Sequence, residues 1–210
     1  MWDRPISDRR RHVPIDRSKI VSAAIALADR DGLDAVTVRG VAAELGVLPM
    51  RLYTYLDTKS DLLDLMIDDV YAGVALPGAG AGWRTTLESI AAGLRTAAAA
   101  HPWCVVLFGS RSPYGPNGLR IVEAVWSAVH GDAAAATAFI GFVTGALQQE
   151  LGAPDAAGVA DYLARQVSGG EFPALAQAFA AGPVGDVFRG GLAVTLDGIA
   201  VRLSAQRSEA

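Results

Sequence analysis

Residues 36–63 read VTVRGVAAELGVLPMRLYTYLDTKSDLL, and the punctuation of this stretch decides the fold. Thr37 precedes Val38, Val41, Ala42 and Leu45, apolar positions whose spacing puts them on one face of a helix. A threonine at that point is a good N-cap, because its side-chain oxygen accepts a backbone N–H that the first turn leaves unbonded. Gly46 ends the helix. Only Val47 and Leu48 then precede Pro49, a residue favoured at the first helical position, where its missing N–H is no loss. The spacing therefore predicts a further short helix over 49–55. Two short helices across a tight glycine turn make a helix-turn-helix in the geometric sense. Thr58 and Asp61, three residues apart, have capping-box spacing for the next helix. Its apolar stripe of Leu62, Leu63, Met66, Ile67 and Val70 carries it to about residue 75.

Outward from this stretch the pattern stays helical. Upstream, Asp16 is an N-cap for a helix bearing Ile20, Ala23, Ala24, Leu27 and Ala28 on one face, with Ile15 placed to staple onto Ile20 and Gly32 as the stop. Downstream, the run PGAGAG at 77–82 is linker-like and predicts a boundary between a domain of residues 1–76 and a larger one of residues 83–210. Leu87, Ile90, Ala91 and Leu94 mark one helix, broken near His101 and Pro102. SRSPYGPNG at 110–118 reads as a loop. Further helices follow on Leu119 to Val129, Phe139 to Leu147, Val159 to Val167, Phe172 to Ala181 and Phe188 to Leu203. The predicted fold is all-α, a three-helix N-terminal helix-turn-helix domain plus a larger helical domain, without internal repeat.

Composition narrows the function classes. The 210 residues are 51% hydrophobic and 19% charged, a globular composition. No apolar run is long enough to span a membrane and the basic first fifteen residues lack the apolar centre of a signal peptide, so a cytoplasmic protein without membrane association is expected. The lone Cys104 excludes an internal disulfide and reads as a small buried hydrophobe. His12, His101 and His130 are scattered without ligand spacing, so neither a metal site nor a cofactor is expected. No nucleophile elbow, phosphate loop or paired acid and base stands on a recognisable scaffold, which argues against an enzyme. The net charge of −4 is unevenly spread: residues 1–60 carry ten Lys/Arg against eight Asp/Glu, and the acidic excess lies in the remainder. A DNA-contacting end on an acidic body has this asymmetry, although Arg9, Arg10 and Arg11 also read as a solvated tail.

The stretch 36–63 closely resembles the DNA-binding signature of TetR-type (tetracycline-repressor-type) regulators: a threonine, an arginine shortly after it, an LGV, an LY, then an aromatic, a lysine and a leucine pair. The likeness covers about residues 16–75. His101 to Trp103, Gly115 to Leu119 and Phe172 to Leu175 resemble, more weakly, the C-terminal domain of the tetracycline-repressor branch. The resemblance implies a ligand-responsive transcriptional regulator, in the family's commonest mode a repressor, that binds operator double-stranded DNA as a homodimer. Carried over residue by residue, it implies that Arg39 reaches a base edge, for which a guanidinium suits guanine. Thr37 and Lys59 would meet phosphate, while Pro49, Met50, Arg51 and Thr54 face the groove, with Tyr53 and Tyr55 at phosphate or groove edge. Ordinary alternatives stand beside each: Arg39 paired with Glu44 or Asp34, Tyr53 in the core, Lys59 a plain surface charge. Leu48 departs from the family's usual Ser, Thr or Glu and makes a poor N-cap without a hydrogen-bonding group for DNA.

The same resemblance implies a ligand cavity in the C-terminal domain and a four-helix dimer interface built from segments near 133–151 and 185–204. Gly141, Gly145, Gly190, Gly191 and Gly198 there allow close helix approach. Trp103, Phe108, Trp126, Phe142 and Tyr162 are candidate walls for an apolar or amphipathic small-molecule inducer, with His101, Asn117 and Gln148 as polar candidates. The competing readings are a helical ligand-binding enzyme and an interaction protein with an inactive helix-turn-helix.

Overall fold

In the computed structural model, which describes residues 15–78, 80–112, 114–151, 156–182 and 185–209, the Asp16 carboxylate accepts the Lys19 N–H at 2.8 Å and opens α1 (Arg17–Asp31). The basic run Arg9–Arg11 and His12 lie outside the described residues. The chain forms two compact units that divide between Met66 and Ile67.

In the first unit α1 stops at Gly32, whose φ of 82° favours a residue without a Cβ. A single 3₁₀ turn, Leu33–Ala35, leads to Thr37, which accepts the Gly40 N–H at 2.9 Å and caps α2 (Val38–Glu44). Gly40 is required by closeness: a Cβ there would lie 2.8 Å from the Ala35 carbonyl oxygen and 3.2 Å from Leu27 of α1. The segment Pro49–Thr54 is a 3₁₀ helix, where the spacing suggested an ordinary helix to 55. The physical reason is local: Leu48 gives no side-chain cap, and six residues are few enough for the tighter winding. Ile20, Ala24, Val36, Val41 and Leu52 are buried together as the unit's core. Asp61 closes the predicted capping box, accepting the Thr58 N–H at 2.9 Å while its own N–H reaches Thr58 Oγ1 at 3.1 Å. It opens α3 (Lys59–Ala72), which ends three residues short of the expected stop.

The second unit is built from α4 (Trp83–Ala100), α5 (Cys104–Leu107), α6 (Pro116–Ala128), α7 (Ala133–Leu151), α8 (Ala156–Ser168), α9 (Pro173–Ala180) and α10 (Val187–Glu209). Long α10 packs on α7, and α4 packs on α6 and α7, around a core of Leu87, Ile90, Phe108, Phe139, Leu147 and Leu196. Of the five glycines named above, Gly191 alone meets a neighbour: a Cβ there would overlap the Phe142 ring, so it serves α7–α10 packing within this chain. Gly141, Gly145, Gly190 and Gly198 face open space. Buried Asp132 ties α7 to α10, accepting the Ala135 N–H at 2.9 Å, Arg202 Nε at 2.6 Å and Gln206 Nε2 at 2.5 Å. The Ala135 N–H first, and then the Arg202 guanidinium, hold its carboxyl below the usual aspartate range. Among the described residues there is no strand beyond an isolated bridge between Phe108 and Arg111, and no helix is long and apolar enough to cross a membrane.

Candidate nucleic-acid interface and ligand cavity

The helix-turn-helix leaves the sequence-predicted DNA residues at its surface. Thr37, Arg39, Thr54 and Lys59 are exposed, Met50 is 76% and Tyr53 50% exposed, and Pro49, Arg51 and Tyr55 are half-buried. Of the two competing partners for Arg39, Glu44 is taken: it forms a two-pronged pair with Arg30, with N–O distances of 3.2 and 3.0 Å, which holds the Glu44 carboxyl below its ordinary range. Among the described residues, neither Arg39 nor Lys59 forms an ion pair. Tyr53 is not a core residue.

Tyr55 is bonded differently from its neighbours. Its hydroxyl donates to the Ile15 carbonyl at 2.8 Å, and Arg17 Nη2 donates to its own carbonyl at 3.4 Å. The phenol proton is spent inside the unit, so Tyr55 anchors the 3₁₀ segment to the start of α1. Nothing in the spacing of the sequence signals that bond. Leu48, exposed and without a capping bond, matches the expectation drawn from its side chain.

The second unit contains a cavity of about 320 Å³, at the small end of the range for ligand sites. Ile90 and Leu94 of α4 form one wall, Ile121, Val122 and Val125 of α6 a second, and Phe139, Ile140, Val143 and Thr144 of α7 a third. Tyr71 of α3 and the loop Phe108–Ser112 complete it, with the Tyr71 and Phe108 rings stacked at 5.7 Å between centroids. Burial chiefly, with Cys104 and Asp68 adding to it, pushes the Tyr71 phenol up to about 12, so it is a protonated donor at neutral pH.

A buried carboxylate holds the wall helix in place. Asp68 of α3 accepts the Asn117 N–H at 3.0 Å, the Asn117 side-chain amide at 3.0 Å and the Gly118 N–H at 2.9 Å. These are donors of the first turn of α6, which no residue of α6 itself can satisfy. Gly115 makes room for the arrangement, since a Cβ there would overlap the Asp68 carboxylate.

Of the eight sequence-predicted ligand residues, the structure brings Phe108 alone to this cavity. Asn117 is spent on Asp68, and Gln148 turns its amide toward the Val105 and Phe108 carbonyls at 3.5 and 3.4 Å. Phe142 packs on Phe188, and His101 lies against the ring of buried Trp103. Trp126 and Tyr162 are exposed. The β-branched residues of α6 and α7 that line this cavity were not among the sequence candidates, which were chosen by aromatic type; positions 118, 121, 122 and 125, at helical spacing behind the 110–118 loop, were the available signal for that wall.

The model of bacterial regulatory proteins of the tetR family matches residues 20–66, and that of the tetracyclin repressor-like C-terminal domain matches residues 76–203. The chain belongs to the tetR family. An HTH-type transcriptional regulator from Saccharopolyspora erythraea is 35% identical over 193 residues, covering 86% of this chain and 82% of that protein. The HTH-type transcriptional repressor DrrR1 from Streptomyces coeruleorubidus is 32% identical over 235 residues, covering 100% and 86%. Among solved structures, ActR from Streptomyces coelicolor is 26% identical in its apo form, with a TM-score of 0.77 over 92% of this chain and 98% of that one. In complex with actinorhodin it is again 26% identical, with a TM-score of 0.73 over 89% and 96%. All nine candidate DNA residues fall within the tetR-family match of 20–66, and the cavity, Tyr71 apart, within the C-terminal match. TetR-family chains are transcriptional regulators, so the family and the all-α fold expected from the sequence both stand.

Proposed function

We propose that this protein is a cytoplasmic, ligand-responsive repressor that binds operator DNA as a homodimer and is released when a small molecule fills the cavity of its second unit. The observations that carry the reading are the exposed Arg39, which forms no ion pair among the described residues, and the exposed Met50 on the same short helix-turn-helix. In this reading residues 1–76 bind DNA and residues 83–210 sense and dimerise. Arg39 reads a base edge; Pro49, Met50, Arg51 and Thr54 face the major groove; Thr37, Tyr53 and Lys59 meet its phosphates. Tyr55 supports the segment from behind. DrrR1's description as a repressor and the ActR complex with actinorhodin support the sense of regulation and the small-molecule partner.

Dimerisation draws support from α7 and α10. Val187, Val194 and Val201 recur every seven residues along α10 and are each more than 70% exposed, with Gly190 and Gly198 open beside them. Such a stripe on a helix already packed on its other side asks for a second helix. Two subunits then address two half-sites. For release, a ligand in the cavity would rest against Tyr71, near the end of α3. The ligand shifts the equilibrium only as far as its affinities for the two states differ.

The test is selection of bound fragments from genomic DNA, followed by anisotropy titrations at rising salt. Lys59→Ala should weaken every duplex alike and lower the salt slope by about 1, and Arg39→Ala should also lose about 1–3 kcal/mol of preference at its base pair. Salt-insensitive binding, or no retained fragment, would sink the proposal.

A further inference from the structure

We infer that Leu48 is a specificity-determining residue of the DNA face, one that reads the C5-methyl group of a pyrimidine, in ordinary DNA a thymine. The inference rests on the DNA-binding reading of the helix-turn-helix. Among the described residues of the first unit, large apolar side chains are exposed in one place only. They are Leu48 at 61%, Met50 at 76% and Tyr53 at 50%, within six consecutive residues, whereas Ile20, Val36, Val41, Leu52 and Leu56 are buried. The tight winding of Pro49–Thr54 explains the division, because with three residues per turn positions three apart share a side. Pro49, Leu52 and Tyr55 are turned toward the unit, the first and last half-buried and Leu52 fully so, while Met50 and Tyr53 are turned out. Leu48, extended at φ −76° and ψ 141°, stands just ahead of the first turn, at the N-terminal tip of the segment.

The chemistry of that tip selects what it meets. From Leu45 to Leu56 there is no acidic residue, and Arg39 and Lys59, on either side in sequence, are exposed. The segment therefore approaches a polyanion without repulsion. The N-terminal residues of a recognition helix are those that reach base edges. A leucine there has neither donor nor acceptor, so a polar base atom that gives up water to it is left unbonded, at a cost. The C5-methyl of thymine is the apolar group that the major groove offers instead, and contact with it takes apolar surface of both partners out of water. Leucine also forgoes a local advantage, since it gives the segment no side-chain capping bond, which a serine at the same place would supply.

The probe is a duplex selected from a randomised library, made as a set in which each thymine in turn is replaced by deoxyuridine, and titrated by anisotropy with the full chain. At one thymine of each half-site the loss of the methyl should weaken binding about fourfold. Leu48→Ser, which adds a capping group and so keeps the segment wound, should abolish the difference at that thymine, and Leu48→Ala should do the same. Lys59→Ala should weaken every duplex of the set and keep the fourfold ratio. With cytosine placed at that position, 5-methylcytosine should bind about fourfold tighter than cytosine, because the methyl and not the rest of thymine is read. Steeply salt-dependent binding that is indifferent to every deoxyuridine, equal binding of the two cytosine duplexes, or a methyl preference that survives both Leu48 variants would overturn the role of Leu48 alone. A library from which no duplex is retained would overturn the DNA reading itself and the role of Leu48 with it.

Discussion

Asp68→Ala should destabilise the second unit by about 3 kcal/mol, a sum set by what its three partners do next. The Gly118 N–H is buried and loses its acceptor outright, which costs about 1–3 kcal/mol. The two Asn117 donors are half-buried and regain water in part, at about 0.5–1 kcal/mol each. For a chain of this length that sum lowers Tm by roughly 6–12 °C. Asp68→Asn keeps one acceptor oxygen and should recover about half the loss. Thermal unfolding by circular dichroism measures the shift, and hydrogen exchange at the Gly118 amide locates it. Fast exchange at Gly118 with unchanged rates in the first unit is the expected pattern. If Asp68→Ala melts within about 1 °C of the parent, as a neutral surface change would, the carboxylate is not what holds the start of α6.

Three further outcomes follow from the same geometry. Gly115→Ala should reproduce the Asp68→Ala exchange pattern, at a cost of about 1–3 kcal/mol for the overlap; a stable variant with Gly118 still protected would show that the loop yields. Gly40→Ala, which forces a methyl against the Ala35 carbonyl and Leu27, should destabilise the first unit by a similar ~1–3 kcal/mol in urea unfolding, and a neutral result would refute the close approach. Asp132→Asn tests the link between α7 and α10 by pH. The folded-state pKa of Asp132 is lowered, so its ionised form stabilises the protein above the unfolded value near ~3.9, and that stability is lost as pH falls through the folded value. The Tm deficit of the variant should be full at neutral pH and shrink below about pH 4. A deficit constant down to strong acid would assign the effect to packing.

Helix starts were legible because they depend on neighbours three residues apart. Asp16, Thr37 and the Thr58–Asp61 pair each make the bond that their spacing implies. The winding of 49–54 was not legible, since a proline after an uncapped leucine starts a 3₁₀ helix as readily as an ordinary one. The exposure of Arg39 and Lys59 could be read from the sequence, but not the anchoring of Tyr55, whose phenol bonds a carbonyl forty residues earlier. The cavity was least legible of all. Whether Phe142 points into it or onto Phe188 depends on how α7 meets α10, a tertiary matter that no periodicity within α7 encodes. Asn117 likewise looked like a ligand group until Asp68, forty-nine residues away, claimed it.

The claim that the exposed surface around the 49–54 segment is built for duplex DNA is tested most directly by a structure of the protein bound to a selected genomic duplex. It should have Pro49–Thr54 in the major groove, Arg39 bonded to a base edge and Lys59 on a phosphate of the same half-site, with a second copy on the other half. A complex in which the duplex lies against another surface, with Arg39 and Lys59 remaining in solvent, would contradict it.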